Sequence, residues 1–339
     1  MTTAPVGAPK RRHTSPGSAD RSADRRRRPM TASRRANRAG LAFVSPTFVV
    51  VLVVVILPIL WTVLLAFQHA RLVDIQGMGL VGNWSLDNFT QVFDSAGFWS
   101  SLATTLLYTA GATLGSVLLG LVAALALRKP FRGRGLLRAA MLLPYVAPVV
   151  AVAFVWEVAL SPQYGVVNDW GHRLFGWDNP IAFLSTREYQ VNLLGAHFDI
   201  PLALLTVIAF ECWRYFPFAF LFILARLQAV PAGLEEAAMV DGATLTQRFR
   251  HILLPQLMPV IALLCVLRFI MTFNKFDDVY LLTGGGAGTN VAAVRVYDFL
   301  TARYDVGAAA AQALVLAASL MILLGFYFKF FGNKVQEES

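Results

Sequence analysis

Long apolar runs separated by short polar stretches fill most of this chain, and their length is more informative than any period within them. A helix that crosses a hydrocarbon core of about 30 Å needs about 20 predominantly apolar residues. Runs of that kind predict six spanning helices, at residues 43–67, 102–127, 136–160, 200–225, 260–276 and 306–331. Pro144 and Pro148 interrupt the third, and the fifth is approached through Pro255 and Pro259. Within the second, Gly111 and Gly115 form a GxxxG followed by Gly120, a spacing that lets another helix approach closely and is read here as packing inside the bundle. Residues 1–40 hold no apolar periodicity and are rich in Arg, Ser, Ala and Pro. They predict a disordered basic tail ahead of a membrane domain at residues 41–335. A signal peptide fits the start poorly, because the first apolar run is longer than an h-region and no A-x-A site follows it.

Composition agrees with an all-α integral membrane protein. Of the 339 residues 57% are hydrophobic and 14% charged, against about 25% charged in a soluble domain. The net charge of +9 is unevenly placed, with eleven of the 29 Lys and Arg in the first 40 residues. If the N-terminus faces the cytoplasm, the inner segments hold 21 of the 29 and the outer ones five, the remaining three being Arg214, Arg268 and Lys275. The positive-inside rule therefore predicts a multi-pass protein of the cell membrane with both termini cytoplasmic. The run Arg25–Arg28 is read as part of an orientation signal and solvated arm, with no nucleic-acid partner. Cys212 and Cys265 are too few and too apolar in setting for a disulfide framework.

The segment 231–259 is more elaborate than a simple connection requires. Leu234 to Val240 is good helix sequence, Asp241-Gly242 is a turn signal, and Thr244 to Leu254 forms a second short helix with Leu245, Phe249, Ile252 and Leu253 at helical spacing. Two helices meeting at a glycine make a cytoplasmic knob that exposes Glu235, Glu236, Arg248 and Arg250. Such a knob suits either a lipid surface or a soluble partner.

The order Glu236-Ala-Ala-x-x-Asp241-Gly242-Ala-x5-Phe249-x-x-Ile252-x-Leu254-Pro255-x3-Pro259 resembles the EAA motif of permease subunits in binding-protein-dependent ABC importers. Three further stretches resemble the sugar and glycerol-3-phosphate branch: residues 273–286, from Phe273-Asn274-Lys275 to Gly284-Gly285-Gly286; Leu86-Asp87-Asn88-Phe89 with Phe98-Trp99; and Gly307 to Ala311. The resemblance covers residues 41–331. It implies a type I importer permease fold with cytoplasmic coupling helices, in which Glu236 helps anchor the knob in a cleft of an ATP-hydrolysing subunit. Gly242 makes the bend, with Ala237, Ala238 and Asp241 as neighbours in the contact. It further implies a homologous second permease subunit, two copies of an ATP-binding subunit and an extracytoplasmic solute-binding protein. ATP and Mg would belong to the ATP-binding partner, with no cofactor on this chain.

Catalytic signatures are missing from the sequence. No G-x-x-x-x-G-K-[ST] occurs, Gly284–Gly286 are followed by no lysine, and the five histidines have no metal-ligand spacing. No catalytic or metal residue is assigned, and the expected role is transport. Ionisable groups within spans cost about 2.5–3.5 kcal/mol each and face a bundle interior or an aqueous cavity. Glu157, Glu211, Arg214, Arg268 and Lys275 are such groups here. Glu211 and Arg214, three apart on one helix, are placed to pair. Alignment on the motif implies that Glu211, Arg214, Tyr215, Arg268 and Thr272 line the solute pathway, the alternative being an ion cluster that holds two spans together. A free arginine pair would suit a phosphate or carboxylate; neutralised by Glu211 and Glu157, it would suit a sugar. The expectation is a carbohydrate importer subunit, with glycerol-3-phosphate import as the alternative. An ATP-independent carrier is disfavoured because no internal repeat is evident, and an enzyme on lipid-linked sugar because no convergent acidic or metal site is.

Overall fold

A computed structural model describes residues 43–73, 84–193 and 196–336 of the chain; the basic tail expected at residues 1–40 lies outside them. Twelve helices are described: α1 Phe43–Ala66, α2 Asp87–Asp94, α3 Phe98–Ala126, α4 Arg134–Val146, α5 Val149–Ala159, α6 Val166–Phe175, α7 Leu202–Gln228, α8 Ala232–Val240, α9 Leu245–Phe273, α10 Asp277–Thr283, α11 Ala292–Thr301 and α12 Val306–Gln336. Five of them (α1, α3, α7, α9 and α12) are long and apolar enough to cross a membrane, and the bent pair α4–α5 supplies a sixth span if taken as one. One short antiparallel hairpin departs from the all-helical expectation, β1 (Tyr189–Leu193) against β2 (Ala196–Ile200). The chain divides into two units, residues 1–60 and 61–339. In the first, the described part is the start of α1.

Glycines set how α3 and α7 pack. A Cβ on Gly115 would lie 2.3 Å from Cys212 Sγ, and one on Gly120 would lie 2.6 Å from Ala219 Cβ and 2.8 Å from the Phe220 nitrogen. Gly111 meets Ile208 in the same way, at 3.1 Å. The GxxxG and its follower thus serve packing within the chain, where small residues let backbones approach. Buried Thr105, Thr109, Thr113 and Ser116 also lie on α3. Thr105 Oγ1 donates to Ser101 O at 2.7 Å and accepts the Ala292 N–H at 2.8 Å, which ties the start of α11 to α3. Gly120→Val is expected to destabilise the purified chain by about 1–3 kcal/mol, since backbone must shift. Gly135→Ala, at an open helical position, is expected to be neutral or stabilising by a few tenths of a kcal/mol; thermal unfolding in detergent compares the two.

Two helices contain a π turn shortly before a proline: Leu52–Ile56 ahead of Pro58, and Phe249–Leu253 ahead of Pro255. A proline ring clashes with the carbonyl four residues earlier and offers no N–H. Widening the preceding turn accommodates both problems without ending the helix. Hence the second helix of the knob and the fifth span, expected as separate pieces with the span starting near Val260, are one continuous helix from Leu245 to Phe273. At Pro148 the opposite happens. Ala147 is extended (φ −65°, ψ 143°), as a residue before proline prefers, and the run expected as a single third span turns through 95° between α4 and α5.

By chain order, α2, α6, the hairpin, α10 and α11 gather at the end of the bundle away from α8. Arg295 on α11 donates to Ala96 O at 3.2 Å and to Ser95 Oγ at 2.5 Å, fixing the turn before α3. Burial and the nearby Arg303 charge hold its guanidinium below the usual arginine range. None of these elements was anticipated from hydropathy, which registers only spanning lengths.

Candidate functional site

The bend of the knob is built by two local devices. At the end of α8, Gly242 takes φ +79° and donates to Met239 O at 3.1 Å, while Ala243 donates to Ala238 O at 2.9 Å. That is the paired closure in which a left-handed glycine satisfies the last carbonyls of a helix. The next helix begins at once, with Thr244 as its cap. Gln247 N donates to Thr244 Oγ1 at 3.3 Å, and Thr244 N donates back to Gln247 Oε1 at 2.8 Å, a reciprocal capping box. Glu236, Ala237, Asp241 and Gly242 are exposed and Ala238 is half-buried. Beside them Val240 is 88% exposed and Leu245 68%. A charged and apolar surface held at a fixed angle, unpartnered within the described chain, is what a protein contact requires.

Glu235 faces the other way. Its two carboxylate oxygens accept from Arg128 Nη1 at 2.5 Å and Nη2 at 3.0 Å, and both side chains are about four-fifths buried. Arg138 donates to Leu127 O at 2.8 Å and Arg134 to Arg128 O at 3.3 Å, so the arginines after α3 clamp its end while Arg128 holds α8. Sequence reading missed this link because the partners lie 107 residues apart. Arg128→Ala is expected to loosen α8 by about 1.5–3 kcal/mol, the range for a charge-assisted hydrogen-bonded pair. Faster hydrogen exchange across Ala232–Val240 would report it, and the charge-swapped pair Arg128→Glu with Glu235→Arg should recover part of the protection.

The five residues expected along the pathway come together in the core. Arg268 Nη2 donates to Glu211 Oε1 at 2.7 Å and its Nε to Ser116 Oγ at 3.4 Å; Thr272 Oγ1 reaches the same Glu211 oxygen at 3.5 Å. Glu211 is 0% and Arg268 1% exposed. The expected pairing of Glu211 with Arg214 does not form. Arg214 Nη1 instead donates to Asp278 Oδ1 at 2.6 Å, because α10 brings a fully buried carboxylate against α7. Lys275 lies 3.3 Å from Asp278 Oδ2 and 3.6 Å from Asp277 Oδ1, and it donates to the Tyr215 hydroxyl. Arg268 and Lys275 each sit 4.2 Å from the centre of the Tyr215 ring and Arg214 5.2 Å from it, a cation–π arrangement. Glu157, expected among the neutralising groups, is exposed elsewhere; Asp277 and Asp278 take that part. Three cations thus meet three carboxylates. Outward from Tyr215 the surface becomes aromatic, with Tyr145 edge-on to it at 5.7 Å between ring centres and tilted against Phe218 at 6.2 Å.

A helical bundle of spanning length, with an exposed bent helix pair at one end and a buried polar centre, defines a multi-pass membrane transport component. The chain belongs to the family of binding-protein-dependent transport system inner membrane components, whose sequence profile matches residues 116–336. It is 37% identical over 238 residues to the inner membrane ABC transporter permease protein YcjO of Escherichia coli, covering 68% of this chain and 74% of that one. It is 32% identical over 292 residues to the trehalose/maltose transport system permease protein MalF of Thermococcus litoralis, covering 86% and 92%. Among solved structures, a bacterial ABC transporter involved in import of the acidic polysaccharide alginate superposes with a TM-score of 0.69 at 22% identity, over 89% of this chain and 99% of that one. The fold is that of a type I importer permease, and the protein is a transport component rather than an enzyme.

Proposed function

We propose that this chain is a membrane subunit of an ATP-driven importer whose cargo is an uncharged carbohydrate handed over by a solute-binding protein. The carrying observation is the neutrality of the buried centre. Arg214, Arg268 and Lys275 each have a carboxylate within the network, which leaves no spare cation there for a phosphate or carboxylate. A glycerol-3-phosphate pathway would ask for one. The exposed ring of Tyr145, with Phe218 beside it and the buried, cation-covered Tyr215 behind it, suits the apolar side of a sugar ring. The relative from Thermococcus litoralis, named for trehalose and maltose, points the same way.

In this reading the knob faces the cytoplasm, as do both termini. Two ATP-binding subunits hold ATP and Mg, and one grips the surface around Glu236 and Gly242. A second, homologous permease subunit completes the pathway. Movement of the knob travels along α9, whose residues Leu245 to Arg268 span about 35 Å at 1.5 Å per residue and connect the motor contact to the buried centre without a joint. Proteoliposomes holding this chain with its second permease, the ATP-binding subunit and the binding protein test the reading. ATP-dependent accumulation of labelled trehalose or maltose, with none of glycerol-3-phosphate, is expected. Uptake without ATP, or of glycerol-3-phosphate alone, would overturn it.

A further inference from the structure

Glu157 takes no part in the buried network, forms no ion pair among the described residues, and yet lies in the apolar run of the bent pair α4–α5, two residues before the end of α5. A carboxylate there needs water or a ligand. It lines a cavity of about 380 Å³ bounded by the end of α5, residues 160–164, residues 182–185 and the end of α10.

The walls of this bay are firmly built. Asn168, buried on α6, donates to Ser161 O at 3.2 Å and to Ile181 O at 3.0 Å, and accepts from Ile181 N at 2.7 Å, so one side chain holds two walls in register. The segment 161–165 folds back so tightly that a Cβ on Gly165 would lie 2.4 Å from Ser161 O and 2.5 Å from Ala159 O. Ser161 Oγ lies 3.1 Å from Gln163 Oε1, and this bond fixes the amide. Preformed walls of this kind spare a ligand the ordering of loops.

The lining chemistry is specific. Glu157 supplies a carboxylate acceptor, Gln163 an amide donor, and Ser185 a hydroxyl that donates or accepts, while Tyr164 and Phe183 offer ring faces. Each sugar hydroxyl is both donor and acceptor, and a pyranose presents one apolar side; a cavity of this volume falls in the range of small-molecule sites. No lysine or arginine lines the bay, and the Glu157 charge repels phosphate. Its floor, α10, also carries Asp277 and Asp278 of the buried network.

We propose that this bay is a landing site for neutral mono- or disaccharide, in which Glu157 and Gln163 read hydroxyl groups before the solute reaches the wall beside Tyr215. The inference rests on the carbohydrate reading above and adds a second position to it.

The test uses the assembled transporter in vesicles, with Ser185→Cys placed on the rim of the bay. Labelling by a charged, membrane-impermeant maleimide is followed without binding protein, against the background set by the unsubstituted chain. Trehalose or maltose at about ten times its half-protecting concentration should slow labelling about tenfold. Glycerol-3-phosphate should not, and Glu157→Ala should abolish the protection. Unchanged labelling with both sugars, equal protection by glycerol-3-phosphate, or protection that survives Glu157→Ala would each overturn the proposal. Uptake measured on vesicles of the unsubstituted transporter, with binding protein and ATP, separates the two readings. Accumulation of sugar without protection sinks the bay alone, whereas failure to accumulate either sugar sinks the carbohydrate assignment.

Discussion

Glu211→Leu is expected to destabilise the protein by about 3–5 kcal/mol, the range for removing one partner of a buried ion pair. The loss is large because the remaining guanidinium stays where it is. Arg268 is 1% exposed, and its other hydrogen bond, to Ser116, is long at 3.4 Å. Water cannot reach it, and Tyr215 already faces two other cations. The double variant Glu211→Leu with Arg268→Met should recover most of the loss, since apolar replacements of a whole buried pair are often neutral or better. Thermal unfolding in detergent, followed by tryptophan fluorescence, measures all three proteins. A single variant as stable as the parent would show that the pair does not hold α7 to α9.

The second large effect is expected at the knob, with membrane insertion preserved. Gly242→Pro forces φ to about −65°, where the turn needs +79°. A penalty of about 3 kcal/mol leaves about one knob in a hundred in its native geometry, and transport should fall in proportion. Glu236→Lys leaves the backbone alone and reverses an exposed charge at the proposed contact with the ATP-binding subunit; it should lower uptake by about tenfold or more, the loss of one charge-assisted hydrogen bond there. In both cases the chain should insert in the membrane at normal levels, and basal ATP hydrolysis by the partner should no longer respond to loaded binding protein. Undiminished uptake in both variants would remove the knob from the coupling path.

Local features of the chain were legible from sequence. Apolar length marked the spans, and Asp241-Gly242 between two helical stretches marked the bend, because a left-handed glycine leaves a signature within a few residues. The cluster of Glu211, Arg214, Tyr215, Arg268 and Thr272 was also recoverable, through resemblance and the rarity of charge in spans. Pairing within the cluster was not. Helical spacing offered Arg214 the neighbouring Glu211, but Asp278, 64 residues away, provides the contact, and no periodicity encodes a contact between elements. Prolines misled in both directions. Pro255 suggested a boundary where a π turn carries the helix through, while Pro148 bends the chain by 95° inside what hydropathy reads as one span. Apolar content records how far a segment could reach and carries no information about its direction.

The glycine-lined contact of α3 with α7 has a mechanical corollary. With Gly120 set directly against the α7 backbone and Gly115 against the short Cys212 side chain, little rotatable side chain separates the two helices at these positions to absorb sliding. The pair behaves as a single girder, a stator against which other parts must swing. Rearrangement of the bundle is then expected in pieces outside that pair, and the corner at Ala147-Pro148, where the chain turns through 95° between α4 and α5, is the natural pivot.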